Sequence, residues 1–299
     1  MNRQFPHGED KPQSPHSPPQ AAWGPLLEGL SVGREQIKPR RRGVTMILDR
    51  CQGLVATDDL LEMAGAYIDH VKLSFGTSVL LSESFIRRKN EMLRAYDIDV
   101  YPGGTLTEAM LTHNVYPEFL ARARALGFTA IEVSDGTITM SPRARAETIK
   151  RALDAGFKVI SEVGKKDPLA VIPVEQMCAQ IDADLALGVD KVIVEARESG
   201  AGIGIYDAGG GIRQDMLRTM LAELHGYADD IIWEAPRQGQ QAQLIMLCGR
   251  NVSLGNVKPR DILGLEALRR GLRYETFRQA EATPELRGIE IPHGVVGDL

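Results

Sequence analysis

The stretch from Ser141 to Lys166, SPRARAETIKRALDAGFKVISEVGKK, contains one predicted helix and the strand that follows it. Ser141 and Pro142 are typical of a helix start, because serine caps free N–H groups and proline fits the first turn. Gly156 is typical of a helix end, since glycine readily adopts the left-handed conformation found there. The apolar, β-branched run over 158–163 then predicts a buried strand.

The joint at Gly156 recurs along the chain. A helix-ending glycine followed by an apolar strand also occurs at Gly127 and Gly188. Such a joint leads from a helix into the next strand of a parallel sheet. Eight short apolar runs are predicted as strands, at 44–48, 67–73, 98–101, 130–134, 158–163, 191–195, 231–234 and 252–254. With no GxGxxG motif after the first strand, the pattern favours a single α/β domain, a (β/α)8 TIM barrel.

The composition is that of an ordinary globular protein, with 299 residues, 43% hydrophobic and 25% charged. A formal net charge of -5 argues against nucleic-acid binding, which favours a basic surface. No apolar run reaches about 18 residues and the N-terminus lacks an apolar signal segment, so we expect neither a membrane span nor export. Cys51, Cys178 and Cys248 have no disulfide or metal spacing, and we expect reduced thiols in a cytoplasmic protein.

The chain is predicted to consist of a tail and one barrel. Residues 1–24 are rich in proline, glutamine and serine and cannot bury enough apolar surface to fold, so we expect a disordered tail there. The barrel is expected over residues 25–299. The basic run at 38–42, KPRRR, precedes the first strand and is interpreted as a solvated face or a subunit contact. The glycine-rich stretch 202–211 matches no nucleotide-binding motif and is interpreted as a flexible loop.

Glutamates occur near the ends of four successive predicted strands, where a (β/α)8 barrel places its active site. They are Glu132, Glu162, Glu195 and Glu234. Because a glutamate is unfavourable in a buried strand without a partner, four at one level predict a positive group between them. Carboxylates without histidine or cysteine favour a hard cation such as Mg²⁺, although pairing with lysine and arginine alone would also explain them.

Basic residues predicted at the same rim indicate an anionic substrate. They are Lys72, Lys165, Lys166 and Arg197. Arginine suits phosphate or carboxylate recognition, and a lysine beside carboxylates can act as a general acid. The segment Gly103-Gly104-Thr105 would let backbone N–H groups approach a phosphate, or else it forms a tight turn between strand and helix.

These motifs together resemble the phosphosulfolactate synthase family. The resemblance covers roughly residues 36–278, and its most specific motifs are EVGKK at 162–166 and EARESG at 195–200. The other matching stretches are GVTMILD at 43–49, DHVKLSFGTS at 69–78, VYPGGT at 100–105, LGFTAIEVSDG at 126–136, EAP at 234–236 and LEALRRGLRYETF at 265–277.

The resemblance implies a Mg²⁺-dependent addition of sulfite to phosphoenolpyruvate, giving (2R)-phospho-3-sulfolactate for coenzyme M or sulfolactate biosynthesis. By resemblance the general acid is Lys166, and we expect Lys165 and Lys72 to assist catalysis. The expected substrate-binding residues are Asp49, Gly103, Gly104, Thr105, Ser134 and Arg197. The expected Mg²⁺ ligands are Glu132, Glu162, Glu195 and Asp135, with Glu234 as a further candidate. A homo-oligomer is expected, a trimer by resemblance.

Some positions depart from the family pattern. Arg50-Cys51 stands where Lys-Gly is common, and Tyr274-Glu275 stands where Gly-Asp is common. The relatives also include a plant heat-stress protein, so a non-catalytic, stress-related barrel is one alternative. A Schiff-base aldolase that uses Lys72 or Lys166 is another.

Overall fold

The computed structural model describes residues 22–23 and 33–277 apart from 168, 171 and 225, and this part of the chain forms a (β/α)8 barrel. The strands are β1 (Thr45–Asp49), β2 (His70–Leu73), β3 (Asp99–Pro102), β4 (Ala130–Val133), β5 (Lys158–Val163), β6 (Lys191–Val194), β7 (Ile231–Glu234) and β8 (Ser253–Val257). They form one parallel sheet in the order β3-β2-β1-β8-β7-β6-β5-β4. The predicted fold class is confirmed.

Helices cover the outside of the barrel, one after each strand except β3, which two helices follow. In the described residues they are α1 (Leu54–Ala64), α2 (Glu83–Arg94), α3 (Gly104–Thr112), α4 (Tyr116–Ala125), α5 (Pro142–Asp154), α6 (Val174–Ala186), α7 (Gln214–Glu223), α8 (Gln238–Cys248) and α9 (Ile262–Arg269). Gly127, Gly156 and Gly188 have φ angles of 83°, 79° and 97°. These left-handed values confirm the predicted joints between helix and strand.

The barrel closes between β3 and β4 with few backbone hydrogen bonds. The N–H groups of Asp99 and Gly103 point toward β2, so the alternate positions Val100 and Pro102 face β4. Proline has no N–H group to donate across this seam. The Val100 N–H group donates instead to Thr129 Oγ1 at 2.9 Å. A side-chain hydroxyl therefore replaces part of the strand ladder at this position.

Alternation along the strands divides the apolar core into two layers. In β5, Ile160 packs inside the barrel, whereas Val159 and Val163 pack against the surrounding helices. Glu162 has the same parity as Ile160 and therefore faces the barrel interior. The apolar part of that interior consists of Val44, Met46, Tyr101, Ala130, Ile160, Ile193 and Ile232.

Some element boundaries differ from the prediction. The second strand begins at His70, because residues Gly65–Tyr67 form a short 3₁₀ helix. The last strand continues to Val257 rather than ending at residue 254. In neither case does the apolar pattern mark the boundary, because Tyr67 packs against the core from a 3₁₀ helix and β8 continues through Gly255 and Asn256 after the apolar run has ended.

The glycine-rich stretch 202–211 is packed against the barrel, which corrects its interpretation as a flexible loop. The Gln240 side-chain amide donates to the carbonyl oxygens of Gly200 at 2.7 Å and Gly210 at 2.9 Å. Tyr206 is buried, and its hydroxyl donates to the Glu234 carbonyl oxygen at 2.7 Å. The stretch is therefore held from α8 and β7.

The basic run at 38–42 is only partly solvated. Arg40 is buried, and its Nε donates to Asp69 Oδ1 at 2.9 Å. Its Nη2 also donates to the Ala66 carbonyl oxygen at 3.0 Å. Arg41 and Arg42 are exposed. Arg40 thus anchors the segment before β1 to the N-terminal face of the barrel.

The predicted tail over residues 1–24 lies outside the described residues except for Ala22 and Trp23. Cys51, Cys178 and Cys248 are free thiols, as predicted. None of the helices that the structure describes is long and apolar enough to cross a membrane.

Candidate active site

Lys72 lies inside the barrel and contacts carboxylates from three other strands. Its side chain, on β2, is 9% exposed. Its Nζ lies 3.0 Å from Glu132 Oε1, 3.0 Å from Glu162 Oε2 and 3.5 Å from Glu234 Oε1. An ammonium group has three donors, and three carboxylates surround this one. The predicted convergence of lysine and glutamate therefore occurs around Lys72.

Lys166 forms the second half of the cluster. Its Nζ lies 3.0 Å from Glu162 Oε1, 3.4 Å from Glu195 Oε2 and 4.0 Å from Glu108 Oε1. Glu162 therefore bridges the two lysines with one oxygen each. The Lys166 side chain is 29% exposed, so it combines carboxylate contact with access to solvent.

The carboxylates keep both lysines charged. Burial alone would lower the pKa of Lys72, but Glu132, Glu162 and Glu234 raise it well above its ordinary value. Burial would also lower the pKa of Lys166, and Glu162 and Glu195 raise it instead. Both side chains are therefore ammonium groups at neutral pH.

Burial has the opposite effect on the glutamates. It raises the pKa of Glu132 to about 7 despite the nearby Lys72. Burial, together with Glu162 and Glu234, raises the pKa of Glu195 well above its ordinary value. Burial acts on Glu162 in the same direction, but Lys72 and Lys166 outweigh it and hold that pKa well below its ordinary value. Burial also raises the pKa of Glu234, so three of the four carboxyl groups hold their protons more tightly than usual, and a nearby cation would favour their ionised form.

Backbone N–H groups orient three of these carboxylates. Gly104 donates to Glu132 Oε1 at 2.8 Å, Ala196 to Glu234 Oε2 at 2.9 Å, and Arg197 to Glu195 Oε1 at 2.6 Å. A Cβ atom at Gly104 would lie 2.5 Å from both Glu132 Oε1 and Ser134 Oγ. Only glycine therefore permits the close approach of α3 to β4 at this point.

Two buried carboxylate oxygens suit a cation. Glu132 Oε2 and Glu195 Oε2 accept no hydrogen bond within the described part of the chain, although Lys166 Nζ approaches the second at 3.4 Å. No three His, Cys, Asp or Glu side chains among the described residues are arranged as a ready metal site. Mg²⁺ commonly binds one or two carboxylates and keeps several waters, so two oxygens suit it without a full protein cage.

Asp135 and Lys165 lie apart from the cluster and pair with each other. Lys165 Nζ is 3.0 Å from Asp135 Oδ2, and Arg145 Nη1 is 3.0 Å from Asp135 Oδ1. The other three predicted metal ligands converge around the two lysines. Both Asp135 oxygens are already bound by cations of the protein, so the predicted set of four is divided.

Asp49 also points away from the centre. Its carboxylate forms an ion pair with the buried Lys89 of α2 and accepts the Gln52 N–H group at 2.8 Å. Asp49 is itself buried. As placed, this predicted substrate-binding residue joins the β1–α1 loop to a helix on the outside of the sheet.

The predicted phosphate cradle is a tight turn. The Gly103 N–H group donates to the Leu73 carbonyl oxygen at 3.0 Å. The Gly104 N–H group is taken by Glu132. Thr105 and Arg197 are exposed at the rim and stay candidates for contact with an anion.

Glu108 is a buried carboxylate at the site that sequence reasoning missed. Its Oε1 accepts the Ser134 hydroxyl at 2.5 Å, and its Oε2 accepts the N–H groups of Thr137 at 2.9 Å and Ile138 at 3.0 Å. Ser134, predicted to bind substrate, is thus engaged by Glu108. The only sequence signal is the position of Glu108 one turn into the helix that follows the VYPGGT segment.

The cluster of carboxylates and lysines lies at the C-terminal ends of the strands, where (β/α)8-barrel enzymes place their active sites. Within that class, the family model for (2R)-phospho-3-sulfolactate synthase (ComA) matches residues 33–275, and the chain belongs to this family. The resemblance drawn from the sequence motifs is confirmed.

Individual relatives agree with the family match. The chain is 41% identical over 242 residues to the phosphosulfolactate synthase of Methanothermobacter thermautotrophicus, which covers 80% of this chain and 93% of that protein. It is 35% identical over 242 residues to the phosphosulfolactate synthase of Bacillus subtilis, which covers 80% and 94%. Protein HEAT-STRESS-ASSOCIATED 32 of Arabidopsis thaliana is 24% identical over 126 residues, covering 40% of this chain and 44% of that protein.

Proposed function

We propose that this chain catalyses the Mg²⁺-dependent addition of sulfite to phosphoenolpyruvate, giving (2R)-phospho-3-sulfolactate. Family membership supports the reaction. The observation that carries the proposal is the placement of Lys166, which contacts Glu162 and Glu195 at 3.0 and 3.4 Å and is 29% exposed. A cation that is both held in place and accessible is suited to deliver a proton to a substrate.

The reaction forms one carbon–sulfur bond and takes up one proton. The sulfur lone pair of sulfite forms a bond to the methylene carbon of phosphoenolpyruvate, and the electrons of the double bond move into the carboxylate. The resulting dianionic aci-carboxylate accepts a proton from Lys166 at the central carbon, which restores the carboxylate. Lys166 then regains a proton from solvent, so the net reaction consumes sulfite, phosphoenolpyruvate and one proton.

Glu132 and Glu195 would hold the metal ion, since each has a buried oxygen that accepts no hydrogen bond within the described residues. Bound Mg²⁺ would supply positive charge that stabilises the developing aci-carboxylate. Lys72 and Lys166 add fixed positive charge in the same cluster. Charges held in place before the reaction cost no reorganisation during it.

Lys72 is better suited to fix the carboxylates than to attack a carbonyl group. Its side chain is 9% exposed and contacts three glutamates. Although burial would lower the pKa of Lys72, those glutamates raise it well above its ordinary value. Because an amine must lose its proton to form a Schiff base, this environment disfavours the aldolase alternative at Lys72.

Product formation from phosphoenolpyruvate and sulfite tests the proposal. The purified protein should form phosphosulfolactate with Mg²⁺, lose activity in EDTA and regain it when Mg²⁺ is restored. Lys166→Ala should abolish turnover with the fold intact. Lys158→Ala is the matched control, because Lys158 lies at the opposite end of β5 and pairs only with Asp99 in the described structure.

Three results would reject this assignment in different ways. Activity that is unchanged by EDTA would contradict the proposed Mg²⁺ dependence. Absence of a sulfite-dependent product from folded, Mg²⁺-loaded protein would favour the non-catalytic barrel. Borohydride trapping of a carbonyl substrate on Lys166 would favour the aldolase.

Assembly and pathway are part of the same proposal. We expect a homotrimer, which sedimentation equilibrium measures directly. The product would enter coenzyme M or sulfolactate biosynthesis. Neither expectation bears on the chemistry assigned to Lys166, so each is tested separately.

A further inference from the structure

We infer that Lys165 and Glu108 are positioning residues that hold Lys166 from two sides through the turn at 134–138. This inference rests on the proposed function, which makes Lys166 the proton donor. Lys165 does not contact the reacting atoms, and Glu108 approaches them only at 4.0 Å, between its Oε1 and Lys166 Nζ. Together they fix the turn on which the Lys166 side chain lies, and so they fix the position of its ammonium group.

Lys165 holds one side of the turn and has no donor left for a substrate. Its Nζ donates to Asp135 Oδ2 at 3.0 Å, to the Asp135 carbonyl oxygen at 2.5 Å and to the Ile138 carbonyl oxygen at 2.8 Å. Since an ammonium group has three N–H bonds, these contacts use all of its donors. Arg145 binds the other Asp135 oxygen at 3.0 Å and so fixes that carboxylate in turn.

Glu108 holds the other side. Its carboxylate is buried and accepts hydrogen bonds from the Ser134 hydroxyl and from the Thr137 and Ile138 N–H groups at 2.5, 2.9 and 3.0 Å. Hydrogen bonds to a charged acceptor are stronger than neutral ones. The turn is therefore bound at its N–H groups by Glu108 and at its carbonyl groups by Lys165.

The turn at 134–138 contacts both the backbone and the side chain of Lys166. The Lys166 N–H group donates to the Gly136 carbonyl oxygen at 3.0 Å. A Cβ atom at Gly136 would lie 3.0 Å from Lys166 Nζ and 3.3 Å from its Cγ. The lysine side chain thus lies flat on the glycine, and a shift of the turn would move its ammonium away from Glu162 and Glu195.

Lys165→Met tests the inference, because methionine keeps the apolar stem and removes the three donors. Amide hydrogen exchange of Lys166 reports the turn directly and needs no activity. We expect Lys166 to exchange at least tenfold faster in Lys165→Met, and kcat to fall about 10- to 100-fold with KM changed less than about twofold. Lys165→Arg, which restores donors to the turn, should recover part of both effects. Lys158→Met should change neither.

Gly136→Ala provides an independent variant that leaves every charge in place. Its methyl group would press on Lys166, so kcat should fall while the KM values hold. Because Gly136→Ala is a separate variant, the inference stays testable if Lys165→Met fails to fold.

An unchanged exchange rate of the Lys166 amide in Lys165→Met would overturn the inference that Lys165 holds the turn at 134–138. A raised KM with unchanged kcat would show that Lys165 binds substrate and would also overturn it. Faster exchange with unchanged kcat would overturn the link to catalysis. If the wild-type protein makes no phosphosulfolactate, the proposed function fails. The exchange rates alone then decide whether Lys165 holds the turn.

Discussion

Replacing Lys72 by methionine should strongly destabilise the folded protein. The ammonium group is buried and lies 3.0 Å from Glu132 and Glu162 and 3.5 Å from Glu234. Removing one partner of a buried ion pair costs about 3–5 kcal/mol, because the remaining charge is left uncompensated. Lys158→Met is the control, since its ion pair is 52% exposed on the lysine side, and exposed pairs contribute about 0.2–1 kcal/mol.

The loss of unfolding free energy caused by Lys72→Met should also depend on pH, because Glu132 titrates near neutrality. Burial raises the pKa of Glu132 from its ordinary value of 4.5 to about 7 in the wild type. Since the folded state binds this proton more tightly than the unfolded state, stability falls as pH rises from about 4.5 through 7. Loss of Lys72 should raise this pKa further. The Lys72→Met penalty is therefore expected to be smallest near pH 5 and largest near pH 8.

Urea denaturation without Mg²⁺, at both pH values, measures the effect. The buried Trp233 on β7 neighbours Glu234 and provides a fluorescence signal, whereas the chain's other tryptophan, Trp23, is exposed. Because a loss of about 5 kcal/mol can unfold a protein of ordinary stability, the double variant Lys72→Met/Glu132→Gln is measured in parallel. Glutamine keeps an acceptor for the Gly104 N–H group and removes one charge, so it should recover about 1–3 kcal/mol.

Two results would refute this reasoning. One is a Lys72→Met penalty below about 1 kcal/mol at pH 8, no larger than that of an exposed ion pair. The other is an absence of recovery in the double variant. Either would mean that Lys72 does not compensate the buried carboxylates.

Three further predictions address single features. Gly104→Ala should lower kcat and Tm together, since its Cβ would lie 2.5 Å from Glu132 Oε1 and Ser134 Oγ; unchanged values would contradict the close approach. Tyr101→Phe should raise the free energy of unfolding in urea by about 1 kcal/mol, because the buried Tyr101 hydroxyl has no hydrogen-bond partner in the described part of the chain. A loss of stability there would show that the hydroxyl is satisfied. Burial lowers the pKa of Lys38 to about 8, so the unfolded chain binds this proton more tightly than the folded protein does. The free energy of unfolding of the wild type should therefore rise between about pH 8 and 10.5 relative to that of Lys38→Met. Unfolding free energies from urea curves that change in parallel for the two proteins across that window would contradict this prediction.

The order of strands and helices could be predicted because each unit carries its own boundary signals. Ser141 caps α5 by accepting the Ala144 N–H group at 3.2 Å, as its sequence position predicts. The start of β2 could not be placed in the same way. Tyr67 lies in a 3₁₀ helix but packs against the core, so the apolar pattern runs through the boundary.

Buried charges on helices could not be predicted. Lys89, Glu108 and Arg145 are all buried, and all lie on helices. Charged residues are common on the solvent-facing side of barrel helices, so nothing local distinguishes these three from exposed neighbours. Their partners belong to other elements, namely Asp49 at the end of β1, Asp184 on α6 and the backbone at 137–138, which only the assembled barrel brings near.

Strand parity places only the first residue of EVGKK at the centre. In β5, Ile160 and Glu162 face the barrel interior, whereas Val163 packs on the helix side of the sheet. The strand ends at Val163 and Gly164 has a φ of 123°, so the alternation stops there; Lys166 then meets Glu162 at 3.0 Å, and Lys165 binds Asp135 and Ile138. The two adjacent lysines therefore have different surroundings although the sequence motif presents them together.

The same rule separates the carboxylates. Asp49 follows the outward-facing Ile47 by two residues, and Asp135 follows the outward-facing Val133 by two. Each of these aspartates pairs with a cation on a neighbouring helix, a lysine on α2 and an arginine on α5. Proximity to a strand end predicts Asp135 as a Mg²⁺ ligand beside the central glutamates and Asp49 as a substrate-binding residue. Counting alternate positions from an apolar residue of known side assigns both aspartates to the layer that braces the loops, because a side chain that leaves the strand outward cannot reach the axis of the barrel.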